Sequence, residues 1–294
     1  MSKISPNTKN IILLPLNLLY RFSPSTVLKI LFKLKVGYKL DLKKPATYNE
    51  KLQWIKLNYK HPLLTKLVDK YTVRKYVEEK APEILNELIW QGFDANAIPW
   101  DNLPDKFVIK VTHGSGFNII CTDKNALDRE AAIKKLKRWQ KEKFLRCYGE
   151  WFYGVEKPRI IIEEFLDAGN GKIPEDYKVF CFNGNPNFVI VDTDRFSSHK
   201  RNVYDLDWNF KKGVTMNFPN DKPIQKPEKL DELLKYAKIL SEGFPHVRVD
   251  LYIVKGKVYF GELTFTNGAG FDKIVPYSFD EEMGKLIKLE NDYE

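Results

Sequence analysis

The feature that most constrains this chain is a hairpin near its C-terminus. Val247-Arg-Val-Asp-Leu-Tyr-Ile-Val and Lys257-Val-Tyr-Phe-Gly-Glu-Leu-Thr-Phe are separated only by the turn Lys255-Gly256. Two β-branched and aromatic runs joined so tightly predict paired antiparallel strands. Side chains alternate along a strand, so Arg248 and Asp250 share one face of theirs, as Glu262 and Thr264 do of theirs. Two carboxylates converging from apolar strands repel by roughly 4 kcal/mol at about 4 Å unless a cation lies between them. Mg²⁺ answers that need, since it takes carboxylates together with phosphate oxygens. Arg248 answers it too, by pairing with Asp250 or Glu262 on a solvated face. Just beyond, Asn267, Gly268, Ala269 and Gly270 can turn successive backbone N–H groups toward an anion. Asp250, Glu262 and Thr264 are therefore candidate metal ligands, with 267–270 an adjoining anion loop.

A second hairpin stands earlier in the chain. Phe107-Val-Ile-Lys-Val runs into Thr112-His-Gly-Ser-Gly and returns through Asn118–Cys121. Its tip, Gly114, Ser115 and Gly116 behind Lys110, is a candidate phosphate grip, because glycines let backbone come close to a ligand. It has neither P-loop spacing nor a dinucleotide-binding context. Arg159-Ile-Ile-Ile-Glu-Glu-Phe-Leu predicts a further strand, and the Gly/Pro-containing stretch 167–175 a lobe boundary. Tyr177–Phe182 and Asn187–Val191 form a hairpin around Asn183-Gly184, followed by a helix over Leu230–Glu242 that ends at Gly243.

Helices are also expected over Asn49–Lys60, Leu63–Lys80 and 129–147. The last carries eight Lys and Arg residues, which suit either an anion-facing surface or a solvated face. Residues 11–36 read as short amphipathic helices followed by lysines, either a cap on the body or a basic surface resting on a membrane. The segment from Asp192 to Asn202, with His199, Lys200 and Arg201, is a candidate substrate rim or a solvated turn. His113 and His199 are candidate anion contacts or ordinary surface residues.

At 294 residues the chain exceeds the usual single-core size, so a cleft between lobes is expected. The net charge of +9 draws it toward polyanions without choosing among them. Three widely spaced cysteines and four scattered histidines support neither a disulfide framework nor a zinc site, and a reducing compartment is expected. The apolar run 11–20 is interrupted by Pro15 and too short to span a bilayer. No convincing Ser-His-Asp or Cys-His set is present, so a side-chain nucleophile is not expected.

In order and spacing these segments resemble the ATP-grasp superfamily, in particular carboxylate–amine ligases of the D-alanine–D-alanine ligase type. The resemblance is carried by Asp69-Lys70 heading a helix, Phe107–Lys110 before Gly114-Ser115-Gly116, Ile162–Leu166, Arg248-Val-Asp250 and Gly261–Thr264. Within the superfamily, Asn49-Glu-Lys-Leu-Gln-Trp, Thr112-His-Gly-Ser-Gly, Asp176-Tyr-Lys-Val-Phe-Cys-Phe-Asn-Gly and Phe244-Pro-His-Val-Arg-Val-Asp-Leu-Tyr resemble the TupA-like branch, associated with teichuronopeptide and capsular polysaccharide synthesis.

The resemblance implies an α+β ATP-grasp fold, two lobes with antiparallel sheets clasping ATP behind a short helical N-terminal region. Its divisions would be residues 1–62, a lid subdomain at 63–166 and a catalytic subdomain at 167–294. It places Lys70 and Lys110 on phosphates, and Glu163, Glu164, Phe165 and Leu166 along the adenine hinge. Asp176 goes on the ribose with Lys178 beside it, and Asp250 and Glu262 on Mg²⁺. Arg248 would stabilise the transferring phosphoryl group, with Lys200 and Arg201 as further catalytic candidates. Thr264 stands where the ligases carry an asparagine metal ligand, so one or two Mg²⁺ ions are expected. The implied reaction forms an amide through an acylphosphate, joining an amine to an acidic sugar or polysaccharide carboxylate. A glycosyl- or phosphotransferase of capsule synthesis is the alternative, and a non-catalytic polyanion binder a third. The expected location is cytoplasmic, either free of the membrane, with the N-terminal helices a cap on the body, or at its inner face, with those helices in contact; neither nucleic acid nor a specific protein partner is expected.

Overall fold

The computed structural model describes residues 6–169, 171–193, 199–220 and 222–289. The chain begins with α1 (Pro6–Tyr20), α2 (Pro24–Lys35), α3 (Tyr48–Asn58), α4 (Leu64–Leu67) and α5 (Val73–Lys80). Next come β1 (Leu88–Gly92), β2 (Phe107–Val111), β3 (Asn118–Cys121), α6 (Arg129–Gln140) and β4 (Ile160–Glu164). Then follow β5 (Asp176–Phe182), β6 (Asn185–Thr193), β7 (Lys200–Asp205), β8 (Thr215–Met216) and α7 (Leu230–Ser241). The chain closes with β9 (His246–Val254), β10 (Lys257–Thr264), β11 (Ile274–Val275) and α8 (Tyr277–Leu286).

Two antiparallel sheets organise the molecule, a four-stranded one ordered β1-β4-β2-β3 and a five-stranded one ordered β10-β9-β5-β6-β7. In the first, Phe107, Ile109 and Val111 alternate inward and pack with Ile160 and Ile162 against Leu136 and Trp139 of α6. In the second, β5 is buried at all seven positions, so both of its faces are covered. One face meets α7, where the Cys181 thiol donates to the Ala237 carbonyl. On the other, Phe180 and Phe182 pack on Tyr48 of α3. That same face carries Lys178 and Asp176 two and four residues away, which brings charged side chains into the protein at the far end of an aromatic layer.

Helix α3 starts with a capping box, Thr47 accepting from the Glu50 amide while the Glu50 carboxylate accepts from that of Thr47. Tyr48, Leu52 and Ile55 of α3, and Leu64, Val73 and Val77 of α4 and α5, share one core with the five-stranded sheet. Residues 48–84 thus pack with the C-terminal sheet, whereas sequence order groups them with the N-terminal region and the first lobe. Val27, Leu28, Leu31 and Phe32 of α2 form a third cluster with Leu40, Cys147 and Phe271.

Two expected helices are shorter in the structure. Leu63–Lys80 is divided into α4 and α5 because the Asp69 carboxylate accepts from the amides of Tyr71 and Thr72, which opens a new helix. The helix expected over 129–147 stops at Gln140. Its lysines and arginines suit a longer helix, but departure of the chain lets Phe144 stack on Tyr153, with ring centroids 4.8 Å apart. The three cysteines are free and buried.

Candidate functional site

The site is built around the hairpin of β9 and β10. Its register runs Lys257↔Val254 to Phe260↔Leu251, then shifts to Glu262↔Asp250 and Thr264↔Arg248. Opposed residues of an antiparallel pair share a face, so an unbroken register would have set Glu262 against Val249, on the face away from Asp250. A bulge at Gly261 adds one residue and turns Glu262 onto the Arg248–Asp250 face. Glycine suits the position, because a Cβ there would sit 2.9 Å from the Asp250 carbonyl oxygen.

On that face Arg248 grips Asp250 with two hydrogen bonds, of 2.6 and 2.7 Å, and reaches Glu262 at 3.1 Å. Lys178, on the neighbouring β5, donates to Asp250 at 2.7 Å and to Asp176 at 2.6 Å, and lies 3.8 Å from Asp192 on β6. Lys70, on the loop before α5, approaches Glu262 at 3.7 Å. Burial by itself would lower the Arg248 pKa, but Asp250 and Glu262 more than offset it and hold it above the ordinary value. The side chain of Glu262 is 39% exposed and that of Asp250 only 2%, so Glu262 is the carboxylate presented to a ligand. The Thr264 hydroxyl lies 3.5 Å from Glu262.

Arg248 also donates to the Asn267 side chain, tying the hairpin to the loop that follows. In this loop Gly268, Ala269 and Gly270 have φ of 54°, 56° and 66°, three successive left-handed residues. The run costs Ala269 roughly 1–2 kcal/mol and persists because α3 holds it. Gln53 donates to the carbonyls of Ala269 and Gly270 at 3.2 and 2.6 Å, and Lys56 to those of Ala269 and Tyr148 at 2.7 and 2.6 Å. Burial lowers Lys56 to about 7, against the opposing charge of Glu150. Glu150 in turn accepts from Thr266, just ahead of the loop.

Across from this face stands the first sheet's hairpin. Lys70 donates to the Gly114 carbonyl at 2.7 Å, joining the tip to Glu262 through one ammonium group. Gly114 is buried and Ser115 and Gly116 are exposed, Gly116 with φ of 74°. Lys110 donates to Glu163 at 2.6 Å, as Arg74 does at 2.8 Å. Glu163 and Phe165 are buried, while the Glu164 side chain is exposed and Leu166 partly so.

In the segment 192–202, residues 194–198 lie outside the described residues. Lys200 and Arg201 fall within β7 rather than in a loop. Arg201 donates to both oxygens of Asp192, at 2.6 and 2.9 Å, and to the Met216 carbonyl at 2.6 Å. His199 lies 3.1 Å from Asp192. Burial raises the Asp192 carboxyl, but Arg201 and Lys178 overcome this and hold it below the ordinary carboxylate range.

The structure thus brings together Lys70, Gly114, Asp176, Lys178, Arg201, Arg248, Asp250, Glu262 and Asn267 through shared partners. Lys110, Glu163 and Arg74 form a separate cluster on the first sheet. Sequence reasoning missed Lys56 and Arg74, and included Gln53, Asp192 and Gly261 in its motifs without giving their side chains these roles. The one local signal was the glycine inside an otherwise regular strand, which marks a bulge.

A family model described as TupA-like ATPgrasp matches residues 50–288. No curated protein matches the chain. Among solved structures, the chain is similar to D-alanine–D-alanine ligase from Bacillus anthracis complexed with ATP, with 17% identity, 69% of this chain and 57% of that one covered, and a TM-score of 0.41. It is similar to D-alanine–D-alanine ligase from Helicobacter pylori, with 12% identity, coverages of 82% and 67%, and a TM-score of 0.44. It is also similar to phosphoribosylamine–glycine ligase from Thermotoga maritima, with 14% identity, coverages of 79% and 58%, and a TM-score of 0.45. The chain spans less than two-thirds of the length of the first and third of these.

Proposed function

The chain belongs to the TupA-like ATP-grasp family, and from that premise we propose that it is an ATP- and Mg²⁺-dependent carboxylate–amine ligase. The observation that carries the reading is the polar face of the C-terminal hairpin, where Arg248, Asp250, Glu262 and the 267–270 loop are joined by direct hydrogen bonds. Four carboxylates, Asp176, Asp192, Asp250 and Glu262, are balanced there by four cations, Lys70, Lys178, Arg201 and Arg248. A face already neutral takes up the negative charge of a nucleotide most favourably when a divalent ion accompanies it. Mg²⁺ uses one or two carboxylates and completes its shell with phosphate oxygens and water. Glu262 and Asp250 would hold it, with Thr264 nearby, and it would neutralise phosphate charge.

In this reading the two sheets clasp the nucleotide. Lys70, Lys110 and the Gly114–Gly116 tip meet phosphates, and Glu163 to Leu166 run along the adenine. Asp176 and Lys178 hold the hairpin's charges in place from β5, which fits their burial better than direct contact with the ribose. Arg248 faces the transferring phosphoryl group, and the 267–270 amides bind the anion formed. The γ-phosphoryl passes to a carboxylate oxygen with release of ADP; an amine then attacks the acyl carbon, and phosphate leaves as the amide forms. Positioning and charge supply the catalysis, without a protein nucleophile. The carboxylate is that of an acidic sugar or polysaccharide of the cell envelope.

We also infer a cytoplasmic, membrane-apposed location. Among the described residues no helix is long and apolar enough to cross a membrane. Support for peripheral contact comes from α1 and α2, where Ile12, Leu14, Leu18, Phe22 and Leu34 are exposed beside Arg21, Lys29, Lys33 and Lys35.

Calorimetry of ATP with and without Mg²⁺ tests the central claim. Wild type should bind ATP in a Mg²⁺-dependent manner, and Glu262→Gln should weaken that binding by roughly tenfold or more. Equal, metal-independent affinity in both would overturn it. Release of ADP and phosphate with a new amide separates a ligase from a glycosyl- or phosphotransferase.

A further inference from the structure

A cavity of about 790 Å³ lies between α1, the end of α6 and the segment 141–158. Neither the hairpin network nor the glycine tip fills it, yet its walls touch both. His113, on its wall, immediately precedes Gly114 of the tip. Glu150 accepts from Thr266, at the entry to the 267–270 loop. Burial, and then the charges of Glu150 and Glu262, raise the pKa of the Tyr153 phenol on the same wall. The cavity therefore adjoins the glycine tip and the entry to the 267–270 loop, two of the elements that meet the phosphoryl group in the reading above.

Its lining has two parts. Lys141, Lys143 and Arg146 are exposed, and among the described residues none of them is ion-paired. Deeper in, the rings of Phe144 and Tyr153 lie stacked at an interplanar angle of 9°, with Trp151 alongside. Unpaired cations at a mouth attract a ligand with several negative groups. Flat aromatic walls take the C–H face of a ring. The volume lies in the range of about 300–1,000 Å³ usual for ligand sites, and exceeds what one amino acid fills.

We propose that this cavity is the acceptor site and that it takes an oligosaccharide bearing carboxylates, its acid groups held by Lys141, Lys143 and Arg146 and its rings by the aromatic wall. The proposal rests on the ligase reading, which supplies the phosphoryl group at the cavity's inner end. Trigalacturonate is a suitable probe, titrated into the full chain with Mg²⁺ and a non-hydrolysable ATP analogue, beside a neutral galactose trisaccharide and triglutamate. Wild type should bind trigalacturonate in preference to both. The Lys143→Glu/Arg146→Glu variant should lose roughly tenfold or more of that affinity while its nucleotide affinity is unchanged. Lys134→Glu/Lys135→Glu, the same charge change on the exposed side of α6, should bind as wild type does. Absence of trigalacturonate binding by wild type overturns the proposal, as does equal loss in the two variants or a preference for triglutamate. Failure of the nucleotide arm alone counts against the ATP reading, and failure of the saccharide arm alone counts against the cavity.

Discussion

Arg201 donates from Nε and Nη2 to both oxygens of Asp192, whose side chain is 2% exposed. Removing one member of such a buried pair leaves an uncompensated charge, at a cost of about 3–5 kcal/mol. Arg201→Ala should therefore lower the unfolding free energy obtained from urea titration by an amount of that order, with loss of turnover following from lost structure, and Arg201→Lys should recover part of both. A variant as stable as wild type but inactive would instead place Arg201 on the substrate. His246 makes the opposite kind of pair. Its Nδ1 faces the Cys181 carbonyl at 2.9 Å and its Nε2 the Tyr48 hydroxyl at 2.9 Å, partners suited to a neutral ring that donates from Nδ1 and accepts at Nε2. Burial lowers its pKa to about 3, from 6.5. The unfolded chain then takes up a proton below pH 6.5 that the folded chain refuses, so this group favours folding above 6.5 and erodes stability as pH falls toward 3. The slope approaches about 1.4 kcal/mol per pH unit. Urea titrations at pH 7, 6, 5 and 4 should show that loss in wild type and a shallower one in His246→Gln; parallel slopes in the two proteins would refute the assignment.

At the scale of elements, the β9–β10 hairpin sets which charges meet. Its strands and turn are legible in the sequence, as are the hairpins at 107–121 and 176–193, because turn chemistry and β-branched runs are local signals. The bulge at Gly261 is what turns Glu262 toward Asp250. Gly261→Ala would place a Cβ 2.9 Å from the Asp250 carbonyl oxygen and 3.0 Å from the Tyr252 ring. The variant should stay folded, since the clash is confined to one pairing at the edge of the sheet, yet bind Mg²⁺-ATP roughly tenfold less tightly as Glu262 moves. Wild-type affinity in this variant would show that the bulge does not set the site. Less of the site than of the strands was legible, for a reason of distance along the chain. Lys178 meets Asp250 across 72 residues, and Lys56 meets the Ala269 carbonyl across 213, so neither pairing leaves a local pattern. The motif Asn49-Glu-Lys-Leu-Gln-Trp read as a helix and as a mark of the TupA-like branch, with no role for its side chains, although Asn49 anchors it to Asp280 and Gln53 fastens the anion loop. Likewise Leu63–Lys80 carries helical periodicity throughout, and the break at Asp69 comes from a side chain competing for backbone amides.

For the molecule as a whole, the distribution of exposed apolar side chains is uneven. Ile12, Leu14, Leu18, Leu19, Phe22, Ile30 and Leu34 all lie on or between the first two helices, with Phe22 86% and Leu34 74% exposed. The first acidic residue of the chain is Asp41, so this surface carries only positive charge. Apolar groups flanked by lysines and free of carboxylates match an anionic bilayer surface, where buried apolar area and attraction to lipid headgroups act together. Deleting the segment is a poor test, because Val27, Leu28, Leu31 and Phe32 on the inner face of α2 are fully or almost fully buried against the body and their loss would expose its core. Substituting the outward side chains avoids that. Phe22→Ser/Leu34→Ser should retain the melting temperature of wild type while co-sedimentation with vesicles of anionic phospholipid falls severalfold, and Lys29→Glu/Lys33→Glu should reduce it further at low salt than at high. Wild-type vesicle binding by both variants would leave the surface as an ordinary solvent-facing cap. A loss in both would mean that α1 and α2 hold the cleft at the membrane, with the basic mouth at 141–146 close by, since Tyr20 of α1 forms part of the same cavity wall.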